Sequence, residues 1–62
     1  MTDDEIKDAI SLLRWKASRA DAPPRIWELI AAAEHLLKGH RHEVERRGEI
    51  VRDIERVLSK GT

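Results

Sequence analysis

Cysteine, phenylalanine and tyrosine are all missing from this 62-residue sequence, and each absence closes an option. Without cysteine no disulfide can reinforce the fold, and nothing marks a redox compartment. Without Phe or Tyr the core has to be built from Ile, Leu, Val and Ala, so it is narrow. Excess charge of one sign is missing too: 12 basic residues face 12 acidic ones. That balance argues against a nucleic-acid or anionic-membrane partner held by a global field. No apolar run approaches the roughly 20 residues of a transmembrane helix. The opening Met1-Thr2-Asp3-Asp4-Glu5 is acidic, unlike the basic start of a secretion signal, which predicts a cytoplasmic protein if it is expressed in a cell. A chain of this size forms one domain at most, here residues 1–62, near the lower limit for folding alone.

What remains is strongly patterned. Thr2 followed by Glu5 forms a capping box, and Asp3, Asp4 and Glu5 suit the positive end of a helix dipole. Ile6, Ala9, Ile10, Leu13, Ala17 and Ala20 then recur at i, i+3, i+4, i+7 spacing, predicting a helix over about 2–20. Pro23 and Pro24 end it and open a second helix over about 23–38, capped by Asp21 or Ala22. That helix carries Ile26, Leu29, Ile30, Ala33, Leu36 and Leu37 on one face and stops at Gly39. A third helix is predicted over about 41–60, before Gly61. Val44, Val51 and Leu58 fall seven apart there, joined by Ile50, Ile54 and Val57. Short loops make sequential helices antiparallel, so the expected fold is all-α, an up-down-up three-helix bundle.

Candidate chemistry is thin. His35, His40 and His42 cluster in sequence, but His40 and His42 point to opposite sides of a helix. His42-Glu43 begins like HExxH, yet position 46 is Arg, and no histidine follows a Glu by three. Their spacing predicts no converging zinc ligands, hence no metal and no cofactor. Ser11, Ser18 and Ser59 have no histidine near them in sequence and no strand-turn-helix to carry a nucleophile, so no enzyme is expected. Arg41, Arg46, Arg47, Arg52 and Arg56 line the third helix, but Glu43, Glu45, Glu49, Asp53 and Glu55 interleave with them. Pairs such as Glu43–Arg47, Glu49–Arg52 and Asp53–Arg56 have intrahelical ion-pair spacing, which predicts a solvated face rather than a DNA-reading one.

One residue breaks the pattern. At about 100° per residue, Trp15 projects opposite Ile6, away from the apolar stripe. Its bland explanation is a lone surface ring lying over the stem of Lys16 or Arg19. Against that stand Leu12 on the same flank and Trp27, Ala31 and Ala32 outside the stripe of the second helix. Arg47 and Gly48 also depart from the core pattern of the third helix. Arg47 snorkels from the seam or pairs across an interface with Glu43 or Glu34, and Gly48 lets a neighbouring helix approach. The expected interface is therefore Leu12, Trp15, Trp27, Ala31, Ala32, Arg47 and Gly48.

The agreement of caps, charges and apolar spacing throughout the chain resembles a de novo designed helical mini-protein. The resemblance is one of style and implies no functional residues. Two function classes follow from the second apolar surface. In the first the chain is a structural, self-assembling bundle that forms a homo-oligomer around Leu12 and Trp15. In the second it is a binding module presenting that surface to a foreign protein.

Overall fold

Thr2 begins the first helix as the sequence predicts. In the computed structural model, which describes residues 1–60 and all their side chains except those of Ala20 and Lys60, the Glu5 amide donates to Thr2 Oγ1 at 3.3 Å. The Thr2 amide donates to Glu5 Oε1 at 2.8 Å, closing the capping box. The backbone and hydroxyl of Thr2 hold the Glu5 pKa below the ordinary glutamate value. A depressed carboxylate pKa adds stability above the unfolded pKa, and that stability is lost as pH falls through the folded one. Helix α1 runs Asp3–Ala20, α2 Pro24–Leu37, α3 Arg41–Glu45 and α4 Arg47–Lys60. The protein is thus all-helical among its described residues, with four helices where three were expected. Ala20's place in the stripe and the stop at Gly61 lie outside what is described.

The junctions are made differently from the sequence expectation. Asp21 does not cap α2. It ends α1 in the left-handed region, φ 50°, and its amide bonds the Ala17 carbonyl. Pro23 precedes α2 in extended geometry with no side-chain cap, and Pro24 takes the first helical position, where its missing N–H is no loss. At the other end of α2 Gly39 adopts φ 82° as expected. The Gly39 amide donates to Leu36 O and the His40 amide to His35 O, both at 3.1 Å, which is a Schellman turn.

The expected third helix is interrupted at Arg46, whose φ of −104° and ψ of 16° leave the helical region. The Arg46 amide bonds back three residues to Glu43 O, a tighter turn than the α-helix. Gly48, two residues on, is the weakest helix former nearby and the natural place for the ladder to give way. The interruption shifts the phase of everything before it, so Val44 leaves the seven-residue seam and is exposed. Gly48 does not admit a neighbouring helix. A Cβ built there meets nothing within 4 Å. Gly48→Ala should therefore raise stability by about 0.5–1 kcal/mol. Urea unfolding of the variant checks this, and a lower midpoint would mean that the glycine is needed by the turn.

The core is the aliphatic one anticipated. Ile6, Ala9, Ile10, Leu13 and Ala17 of α1 meet Ile30, Ala33 and Leu36 of α2 and Ile50 and Ile54 of α4, with no buried polar residue among those described. Ile26, Leu29, Leu37, Val51, Val57 and Leu58 pack around them. Arg14 of α1 pairs with Glu34 of α2, while Lys7 and Ser11 border the same groove as Leu37 and Lys38, so these two helices run antiparallel. The radius of gyration, 10.9 Å, is close to the roughly 10.6 Å of a compact chain of this length. Among the described residues no helix is long and apolar enough to cross a membrane.

Candidate functional site

With Ile6, Ala9 and Leu13 turned inward, the opposite side of α1 presents Asp8, Leu12, Trp15 and Arg19, all exposed. Their 4-3-4 spacing places them in one row along the helix. Trp15 is 57% exposed and Leu12 42%. The Arg19 guanidinium lies 4.8 Å from the Trp15 ring centre, the cation–π contact foreseen as the bland explanation, yet the residue remains more than half exposed.

Two apolar grooves flank this row. Trp15 borders one of about 450 Å³ with Ala17, Ala22, Pro23, Ile26 and Val57, and Lys16 and Arg19 on its rim. Leu12 borders another of about 290 Å³ with Met1, Ala9 and Leu58, rimmed by Glu5 and Asp8. The early half of the row is therefore acidic and the late half basic, with the two large apolar side chains between them.

The other expected interface residues are not gathered onto this face. Trp27 and Ala31 are exposed one turn apart on α2, outside the groove that Trp15 borders. Ala32 packs against the core and lines the α2–α4 side with Leu29 and Ile50. Arg47 is engaged within the chain: Nη1 donates to Asp3 Oδ1 at 3.1 Å and Nη2 to the Met1 carbonyl at 2.8 Å. Neither Glu43 nor Glu34 is its partner. Glu34 is taken by Arg14, and Gly48 is exposed with open space before it. Further ion pairs join Arg41 to Glu45 at 3.4 Å and Arg46 to Glu49 at 3.1 Å, so Glu49 turns to Arg46 rather than Arg52.

The histidines depart furthest from expectation. His35 and His40 stack with ring centres 4.7 Å apart at 21°. Glu43 Oε1 stands 4.0 Å from His35 Nδ1. One donor atom from each of the three residues lies within 4.8 Å of the others. His35 and His40 thus converge with Glu43, contrary to what the histidine spacing led one to expect, and His42 is not part of the group. The relation of His35 to His40 is set by the Schellman turn, which folds position 40 back onto position 35 and which helical spacing within one element does not describe. A Gly between two histidines five apart, followed by Glu three later, was the available signal.

No protein-family model, curated protein or solved structure matches this chain.

Proposed function

We propose that the chain is a non-catalytic structural module that self-associates, an up-down-up three-helix bundle whose third arm is α3 and α4 together. The contact surface is the outer row of α1. The observation that carries this reading is a largely exposed tryptophan beside an exposed leucine, flanked by charges of opposite sign on a single helix face.

Such a row is self-complementary when two copies of α1 meet antiparallel. With the two-fold axis between positions 13 and 14, Leu12 meets the second copy's tryptophan and Asp8 meets its Arg19. Both 8 + 19 and 12 + 15 equal 27, so one axis satisfies both pairs. Like charges would oppose each other in a parallel pairing, which sets the direction. An interface of standard size covers roughly 800 Å² per partner, about a sixth of this chain's 4569 Å². Two apolar anchors per copy fit a weak dimer, with a dissociation constant on the order of 10–100 µM. The likeness to designed mini-proteins is part of the same proposal, supported by the capping box, the glycine stop and the aliphatic core.

A charge swap tests the register. Asp8→Arg puts two arginines together at each end of the row and should weaken dimerisation about tenfold, since each rim pair contributes about 0.2–1 kcal/mol and repulsion costs as much again. Adding Arg19→Asp should restore association to within about threefold of wild type. Sedimentation velocity reads both, and a double variant as weak as the single one would rule out the antiparallel pairing.

A further inference from the structure

We propose that His35, His40 and Glu43 bind one divalent transition-metal ion of the zinc class. The backbone builds the site. The Schellman turn through Gly39 bonds the His40 amide to the His35 carbonyl, which brings the two imidazoles together at the end of α2. The His40 carbonyl then accepts from the Val44 amide at 2.9 Å, winding α3 so that Glu43 faces back to His35. No side-chain cap bond ties His40 at the start of α3, so its ring is not committed to the backbone there.

A side-chain contact between these two positions frequently accompanies this turn, so the stacked imidazoles alone do not mark a site. Glu43 is what distinguishes the arrangement. Its side chain is only 15% exposed, and its Oε1 faces His35 Nδ1 at 4.0 Å. A largely covered carboxylate gains from a cation bound beside it, and the two imidazoles supply the further donor atoms that a divalent ion needs. The negative end of the α2 dipole adds to the attraction.

Donor chemistry selects the ion. Two imidazoles and one carboxylate suit zinc and its neighbours, whereas calcium and magnesium favour all-oxygen shells. Bonds of about 2.0–2.2 Å in a tetrahedron set neighbouring donors about 3.3–3.5 Å apart. The three donors, now within 4.8 Å, must close by about 1.5 Å at most. His35 and His40 are exposed, so ring rotation out of the stack supplies that movement without disturbing the core. Water completes the shell, and His42 takes no part.

Zinc chloride titrated into the full chain, followed by calorimetry and by imidazole nitrogen shifts, decides the matter. The expected result is one ion per chain, with the His35 and His40 signals moving and the His42 signal still. His35→Ala, His40→Ala and Glu43→Gln should each weaken binding about tenfold or more, and His42→Ala by less than about twofold. Circular dichroism without zinc should be the same for all four. The wild-type nitrogen shifts need no variant, so they hold even where a substitution loosens the turn. Trp15→Glu should bind zinc as wild type does, because the site lies within one chain and stands apart from self-association. No saturable uptake, one ion per two chains, or equal movement of all three histidines would overturn the proposal.

Discussion

Ile54→Ala should remove about 2–5 kcal/mol of folding stability, the cost of deleting buried methyl groups and leaving a cavity. Domains hold about 0.05–0.15 kcal/mol per residue, or about 3–9 kcal/mol for this chain, so the loss is a large share of the whole. The effect is concentrated at this position for a structural reason. α4 has two buried apolar residues among those described, Ile50 and Ile54, and Ile54 has no exposed surface at all. Its other apolar residues, Val51, Val57 and Leu58, are only partly covered. Without the Ile54 side chain α4 retains a single deep anchor, and no disulfide holds it in place. Urea unfolding at neutral pH should show a strongly lowered midpoint with much of the population unfolded before denaturant is added. A loss below about 1 kcal/mol would mean that α4 is held chiefly by surface contacts.

Trp15→Glu should act on association rather than on the fold of the single chain. The ring lies outside the core, so the monomer loses only the Arg19 contact, worth about 0.5–1 kcal/mol at an exposed site. In the antiparallel dimer the same substitution removes the tryptophan anchor of each copy and places two carboxylates near the axis. Burying a charge without a partner is costly enough to abolish a contact of micromolar strength. Concentration-dependent size should vanish while the helical circular dichroism stays. Unfolding of the variant at low concentration would show instead that Trp15 supports the fold.

The fold was largely readable because its determinants are local. The capping box at Thr2, the prolines at 23 and 24 and the glycine at 39 act within one turn of themselves, and the aliphatic stripes of α1 and α2 depend only on helical period. The break at Arg46 was not readable in the same way. Seven-residue spacing from Val44 to Leu58 holds only while the helix is continuous, and a turn one residue wide resets it. Asp21 was misplaced for a related reason: both helix starts and left-handed helix ends accept Asp, and the backbone decides between them. The partner of Arg47 was hidden because Asp3 is 44 positions away and comes near only through the packing of α1 against α4. The exposure of Leu12 and Trp15 followed from angular position on the helix, whereas the meeting of His35, His40 and Glu43 required the path of the chain after Gly39.

Sedimentation equilibrium of the wild-type chain from about 10 to 500 µM, a range that brackets the expected dissociation constant, measures the self-association on which the functional reading depends. A monomer–dimer equilibrium should appear, with Trp15→Glu monomeric across the same range. A wild-type chain that stays monomeric at the highest concentration would contradict self-assembly and leave the exposed Leu12–Trp15 row as a docking face for a foreign protein.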